Sequence, residues 1–337
     1  MKKNYTILAI ESSCDDTSVA VVRDGRQVLS CVISSQIDIH TRFGGVVPEI
    51  ASRNHISAID NVTAKALADA GLTLKDVDAI AVTQGAGLIG SLLVGISYAK
   101  ALSFATGIPL IAVNHIEGHI AGNYITHKEL TPPFVCLLVS GGHTALVKVD
   151  DYNHHELLGS TLDDAVGEAF DKVSRLLGLG YPGGPAVQRM AEGGKDNIEF
   201  TRHHADNLGL NFSFSGKKTA VINYLHTLEQ RGEKPNPHDV CASFQNWVVD
   251  DLTSKAIQAC KQTGLNKLVL AGGVSANRAL RTRLDALAKK ENIQVFYPEL
   301  IYCTDNAAMI GSSAYYLAKQ GKPFADTTLA PKPTIDL

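Results

Sequence analysis

Two stretches of this chain open alike, each with two short apolar strands joined by a polar or glycine-rich turn. In the first, residues 6–10 and 18–22 flank Glu11-Ser12-Ser13-Cys14-Asp15-Asp16-Thr17. In the second, residues 134–139 and 145–149 flank Ser140-Gly141-Gly142-His143-Thr144. Helical and strand periods alternate behind each opening. A helix is expected over 52–70, with Ile56, Ile59, Val62 and Ala66 as its apolar stripe and Gly71 as its stop. A buried strand at 79–83 leads into Gly85-Ala86-Gly87-Leu88-Ile89-Gly90 and a helix to about Ala105; a strand at 110–113 delivers the chain to His115. The second half repeats the scheme with helices over 163–177 and 247–261 and a strand at 267–271 that enters Gly272-Gly273-Val274-Ser275. Ser275 is the natural N-cap of a helix from Ala276. Such alternation predicts an α/β protein built from a duplicated pair of domains, with a ligand expected in the cleft between them. The expected divisions are 1–130, 131–302 and a terminal helix and tail, 303–337, that returns to the first domain.

His115-Ile116-Glu117-Gly118-His119 carries the sharpest chemistry. Histidines four residues apart share one face of a helix, as a metal pair must, and neutral imidazoles suit zinc or iron. Zinc peptidases place a glutamate directly after the first histidine. Glu117 is two positions on, about 200° around a helix from His115, so it points away from a metal held by both.

A chain of 337 residues with 45% hydrophobic and 19% charged residues is an ordinary globular protein. Its net charge of −3 gives no general attraction to RNA, so any RNA contact must be local or helped by partners. Six scattered cysteines without a Cys-x-x-Cys pair fit reduced thiols in the cytosol better than a zinc ribbon or disulfide framework. No signal peptide or membrane span is read, and a cytoplasmic location is expected.

The remaining motifs are weighed against plainer roles. Gly85 to Gly90 matches a dinucleotide fingerprint, but no acidic ribose ligand follows the next strand, so close helix–strand packing is favoured. Ser140-Gly141-Gly142 alone reads as a hairpin turn, although its glycines also allow backbone N–H groups to converge on a phosphate. Gly272-Gly273, between a buried strand and a capped helix, is the stronger anion site, and Asn277 beyond it could bond a base or a ribose. Asp164, Glu168 and Asp171 form one acidic helical face. Residues 211–219 read as a strand entering an exposed basic turn, with phosphate or RNA contact as the functional alternative.

Taken in order, Glu11-Ser12-Ser13-Cys14-Asp15, Gly44-Gly45-Val46-Val47-Pro48-Glu49, His115-Ile116-Glu117-Gly118-His119, Leu138-Val139-Ser140-Gly141-Gly142-His143-Thr144, Gly167-Glu168-Ala169-Phe170-Asp171-Lys172, Tyr181-Pro182-Gly183-Gly184-Pro185, Phe212-Ser213-Phe214-Ser215-Gly216, Ala271-Gly272-Gly273-Val274-Ser275-Ala276-Asn277-Arg278 and Cys303-Thr304-Asp305-Asn306 resemble the TsaD family. These are the tRNA adenosine threonylcarbamoyltransferases, once labelled O-sialoglycoprotein endopeptidases. The resemblance implies a duplicated actin-like ATPase (ASKHA) fold with a nucleotide cleft. It implies one divalent metal, iron(II) or zinc, on His115, His119 and Asp305, with magnesium as a companion of bound nucleotide. It also implies that Leu138, Val139, Ser140, Gly141, Gly142, Asp171, Gly184 and Asn277 contact threonylcarbamoyl-AMP. Implied partners are tRNA, a TsaB-like paralogue and a TsaE-like ATPase. Asp15 or Asp16 is the candidate base for the accepting amine. Three positions depart from the family pattern: Asp16 for glutamate, Ala86 for proline and Gln188 for aspartate. The rival readings are a metallopeptidase, an actin-fold kinase and a non-catalytic ATPase scaffold.

Overall fold

The structure, a computed structural model, describes residues 2–200 and 208–335. Asp336 and Leu337, at the end of the expected tail, lie outside the described residues. Two compact units emerge: residues 1–132, 150–155 and 298–337 form one, and 133–149 with 156–297 the other.

Unit 1 runs β1 (Thr6–Glu11), β2 (Asp16–Arg23), β3 (Gln27–Ser35), α1 (Ile37–Thr41), α2 (Pro48–Asp69), β4 (Ala79–Gly85), α3 (Ile89–Thr106), β5 (Leu110–Asn114) and α4 (His115–Thr126). Its sheet has the order β3-β2-β1-β4-β5, antiparallel across β3-β2-β1 and parallel across β1-β4-β5. β1 is fully buried, which explains why it reads as a continuous apolar run and not as an alternation. Helix α2 begins four residues earlier than expected because Pro48, with its fixed φ and no N–H to lose, opens the first turn. Among the described helices, α3 is the one long and apolar enough to cross a bilayer by length and composition. Its Leu92, Ile96 and Ala99 pack into the core with Ile59 and Val62 of α2 and Leu8 and Ile10 of β1. The glycine loop before α3 is filled by protein: Leu88 N donates to Ser13 O at 2.8 Å and Gly87 N to Pro333 O at 3.0 Å, while Lys332 N bonds Gln84 O at 2.8 Å. Packing, not a dinucleotide, occupies this fingerprint. The Gly85–Ala86 peptide at the departing position is cis.

Apart from residues 150–155 at the β7–β8 hairpin, which fall in unit 1, unit 2 contains β6 (Phe134–Val139), β7 (Thr144–Asp151), β8 (His154–Ser160), α5 (Val166–Leu176), α6 (Gly183–Ala191), α7 (Ser215–Gln230), α8 (Pro237–Thr263), β9 (Lys267–Ala271), α9 (Arg278–Lys290) and β10 (Gln294–Phe296). Its sheet order, β10-β9-β6-β7-β8, repeats that of unit 1 read from the other edge. The duplication visible in the two openings is therefore a duplication of topology.

Several local expectations are corrected. Residues 273–276 form a 3-10 turn, and the cap of α9 is Asn277, whose side chain accepts Leu280 N at 3.0 Å; Ser275 caps nothing. Helix α5 starts at Val166 because Asp163 is engaged elsewhere, and α8 extends from Pro237, ten residues before Trp247. Residues 211–219 are not a strand. Phe212 makes one bridge to Thr161, Phe212 and Phe214 are buried, and Ser215 opens α7. The basic pair is committed to protein, with Lys217 buried and 2.8 Å from Asp251 and Lys218 3.6 Å from Asp164.

The last helix, α10 (Ala307–Lys319), belongs to unit 1, where Ala307, Met309, Ile310 and Ala314 join Ile7, Ala9, Ala20 and Val22 in a second core layer. It lies close against α4, and Gly118 permits the approach: a Cβ there would sit 2.8 Å from Ile310 Cδ1. We expect Gly118→Val to lower unit 1 stability by about 1–3 kcal/mol through overpacking. Gly118→Ala should cost less, since the terminal methyl of Ile310 can rotate aside. Urea denaturation checks this, and a Val variant as stable as wild type would show that the contact is slack.

Candidate metal centre and glycine turns

Strand β5 runs straight into α4, and Asn114 makes the turn by accepting Ile116 N at 2.9 Å as N-cap. His115 and His119, one helical turn apart, are both buried and face the loop before α10. That loop presents Asp305, whose Oδ1 is 3.5 Å from His115 Nε2 and 3.3 Å from His119 Nε2. Potential ligand atoms of the three lie within 4.8 Å of one another. The plainer role for Asp305, capping α10, belongs to Asn306 instead: its side chain accepts Met309 N at 3.0 Å, and Ala307 N donates to Ser18 Oγ at 2.9 Å. Asp305 is thus left to face the imidazoles.

Neither ring nitrogen of His119 has a hydrogen-bond partner among the described residues, although the side chain is buried. Two imidazoles and a carboxylate, with an orphaned imidazole among them, fit a divalent transition ion with open coordination positions.

Glu11, which no spacing in the sequence marks as a site residue, is fully buried beside this group. Its Oε2 is 3.0 Å from His115 Nδ1 and accepts Thr83 Oγ1 at 2.7 Å, while Oε1 accepts the Ser13 amide. A carboxylate on Nδ1 fixes the ring and leaves Nε2 directed at Asp305, the usual outer partner of a metal-bound histidine. Burial opposes ionisation of Glu11, but His115 outweighs it and holds the carboxyl below its ordinary range. Burial likewise opposes charge on Asp305 and His115. Attraction to His115, with His119 adding to it, keeps Asp305 well below its usual value, and attraction to Asp305 and Glu11 keeps His115 well above its own.

Asp15 ends the β1–β2 turn and Asp16 opens β2. Burial raises both, and Asp16, whose Oδ1 is buried without a partner among the described residues, is pushed up to about 7 despite a bond from Ser35. Glu117 lies on the other side of α4, 3.7 Å from His155 Nδ1, where burial pushes its carboxyl up to about 7. It offers no base to a metal-bound water, as its spacing predicts.

In unit 2, the β6–β7 turn closes through Ser140 N to His143 O at 2.8 Å and His143 N to Ser140 Oγ at 3.0 Å. Leu138 and Val139 bury their side chains in the sheet, so only their backbone is available to a ligand. Gly141 and Gly142 are exposed with open space where a Cβ would be. Gly167 of α5 and Gly272, at φ +87°, pack against this turn; a Cβ on either would strike the Ser140 or Val139 backbone. Asp171 accepts Gly183 N at 2.6 Å and so anchors α6, beside which Gly184 faces open space. Asn277 is fully engaged as cap and as donor to Gln245 Oε1 at 3.0 Å. Gln188, the departing residue, accepts Arg278 N at 2.8 Å. The structure brings Ser140 to Gly142, Gly167 and Gly272 together, and ties Asp171 to the start of α6.

Comparison with known proteins now bears on these arrangements. The chain matches two structures in fold: full-length HypF in its phosphate- and nucleotide-bound form (TM-score 0.62, 16% identity, 96% of this chain and 48% of that one) and the activator of 2-hydroxyisocaproyl-CoA dehydratase from Clostridium difficile with bound ADPNP (TM-score 0.54, 12% identity, 94% and 97%). It therefore has the two-domain actin-like ATPase fold, in accord with what the family resemblance implies and with the duplicated domains expected from the two strand openings. The TsaD family, tRNA N6-adenosine threonylcarbamoyltransferase, matches residues 27–312. Proteins of that name from Clostridium perfringens and Clostridium botulinum are each 56% identical to it. The first aligns over 332 residues, 98% of both chains, and the second over 323, 96% of this chain and 95% of that one. The chain belongs to the TsaD family and is a transferase that modifies adenosine N6 in tRNA.

Asp163 stabilises the loop that leads to α5 and the glycine turn. It accepts Ser213 Oγ at 2.6 Å, Phe214 N at 2.7 Å, Ser215 N at 3.1 Å and Ser215 Oγ at 2.7 Å. Burial opposes its charge, but these donors hold its pKa at about 2. A carboxyl depressed in the folded state contributes stability above its unfolded pKa of about 3.9 and loses it as pH falls through the folded value. Asp163→Asn should therefore lower Tm at pH 7, and the gap to wild type should close between pH 4 and pH 2. A pH-independent gap in calorimetry would contradict the ionised role.

Proposed function

We propose that the chain transfers the L-threonylcarbamoyl group from threonylcarbamoyl-AMP to the exocyclic N6 amine of the adenosine 3′ of the anticodon, in tRNAs reading codons that begin with A, and releases AMP. The observation that carries the proposal is the convergence of two buried histidines, His115 and His119, on the partly buried Asp305 in a chain of this family. His115, His119 and Asp305 would hold one divalent ion, iron(II) or zinc, which when bound supplies Lewis-acid polarisation of the carbamoyl oxygen. Glu11 keeps His115 in the ligating tautomer.

In the transfer, the N6 nitrogen bonds to the carbamoyl carbon, the bond from that carbon to the phosphate oxygen breaks, and AMP leaves. The amine must lose a proton. Asp16, pushed up to about 7 by burial, is better matched to this role than its neighbour Asp15. The side-chain-free space at Gly141 and Gly142, beside Ser140, supports approach of the donor's phosphate to the backbone of this turn, and Gly184 leaves room for its remainder. Asp171 and Asn277 act here by holding the walls, through Gly183 and through α9. The base must leave the anticodon-loop stack, which costs little in a single-stranded loop. The partners proposed are a TsaB-like paralogue and a TsaE-like ATPase, in the cytoplasm. A peptidase reading lacks its base, because Glu117 faces His155.

The test combines the purified protein, those partners, unmodified tRNA and threonylcarbamoyl-adenylate, with nucleoside mass spectrometry. We expect threonylcarbamoyladenosine matched by AMP, and Asp305→Ala to lose both metal and at least about 100-fold of the product rate, on the scale of lost electrostatic stabilisation. A folded Asp305→Ala protein with full turnover would overturn the assignment.

A further inference from the structure

We infer that His55 is a positioning residue for the transfer: from α2 it grips both sides of the turn that carries Asp15 and Asp16. His55 is fully buried, with 0% of its surface exposed. Its Nε2 is 2.9 Å from Cys14 O and its Nδ1 is 2.7 Å from Thr17 Oγ1. A carbonyl oxygen can only accept, so Nε2 carries the proton and Nδ1 accepts from the Thr17 hydroxyl. The two bonds fall on the residues immediately before and after the Asp15-Asp16 pair. One rigid ring thus spans the pair, and neither of its bonds serves α2 itself.

A second buried histidine supports the same turn from α1. Gln36 N donates to Asp15 O at 3.1 Å. The Gln36 side chain is held by His40 Nε2 at 3.2 Å and by the Ala51 carbonyl at 3.3 Å, and Val47 N donates to His40 Nδ1 at 3.3 Å. Every backbone carbonyl named here is fixed by a side chain or amide from outside the turn. The groups facing His55 are Thr17, the Cys14 carbonyl and, at longer range, Glu11, Asp15 and His40. Burial, the largest influence, lowers its pKa and favours the neutral ring, in which Nδ1 accepts from the Thr17 hydroxyl. The hydrogen bonds of His55 go to Cys14 and Thr17 and not to His115, His119 or Asp305, so its effect on the reaction is assigned to the carboxylates and not to the metal ligands.

This inference rests on the reading of Asp15 and Asp16 as the proton-accepting carboxylates, and its test separates the two. His55→Phe keeps the ring's bulk and deletes both bonds. It should lower kcat on the order of 100-fold, the scale of a misplacement of about 1 Å in a catalytic group, while KM for tRNA and metal content per chain stay within twofold. His55→Gln, which can still donate to Cys14 O, should recover to within about tenfold of wild type, because one of the two bonds remains. Thr17→Val removes the other bond without a change of shape and serves if His55→Phe does not fold. In an Asp15→Asn/Asp16→Asn background, His55→Phe should cost no further activity. Equal costs in both backgrounds, or an undiminished kcat in the folded Phe variant, would overturn the inference. Amide exchange at Gln36, whose N–H is bonded to Asp15 O, reads the turn without catalysis and should speed up in His55→Phe. Unchanged exchange also overturns it. Full activity of the Asp15→Asn/Asp16→Asn protein would instead remove the carboxylate assignment, leaving the exchange result to decide whether His55 holds the turn.

Discussion

The close approach of α4 to α10 is the contact on which the candidate site depends. Gly118 lets Ile310 lie where a side chain would otherwise be, and Gly311, facing Val22 and Ala9, lets α10 settle on the sheet. The consequence is local and chemical: the loop that begins α10 delivers Asp305 to two imidazoles on α4, joining segments nearly two hundred residues apart in sequence. Burying two histidines and a carboxylate together would destabilise the fold if they remained unpaired. Their attraction for one another offsets part of that cost, and a bound cation would offset more, so a metal held there would couple its binding to the folding of unit 1.

Around that group, the side chains divide into those that face it and those that hold it. Glu11 orients His115, Thr83 and the Ser13 amide orient Glu11, and His55 with Gln36 holds the turn of Asp15 and Asp16. Most of these supports come from strand ends and helix faces, where packing locks the rotamers. In unit 2 the logic is different. Gly141 and Gly142 leave room, while Gly167 and Gly272 are glycines because neighbouring backbone lies where a side chain would be. Glycine thus serves opposite purposes around one turn: within it to open space, and on the elements packed against it to allow close approach.

Much of this was legible in the sequence because it depends on periodicity or on short-range spacing. Fully buried strands gave apolar runs, the duplicated openings marked a duplicated topology, and the four-residue spacing of His115 and His119 placed them on one face. The position of Glu117 followed from the same helical arithmetic. What escaped depended on tertiary choice among similar polar residues. Ser275 and Asn277 are both good caps, and the chain uses Asn277 because a 3-10 turn consumes Gly273 to Ala276 first. Asp305 and Asn306 are likewise both able to cap, and only the histidines across from Asp305 decide between them. Phe212 and Phe214 alternate as strand residues do, yet both are buried and the chain turns at once into α7. Glu11 ends an apolar strand and reads as the first polar residue of a turn; its role appears only when β5 and α4 bring His115 beside it.

The central claim is that His115, His119 and Asp305 hold one functional divalent ion. X-ray absorption spectroscopy on the purified protein, with elemental analysis of the same sample, addresses it most directly. The account predicts one iron or zinc per chain, a first shell of nitrogen and oxygen only, and outer scattering from two imidazoles that falls to one in His119→Ala. A sulfur-containing shell, or an unchanged two-imidazole signal in that variant, would contradict it.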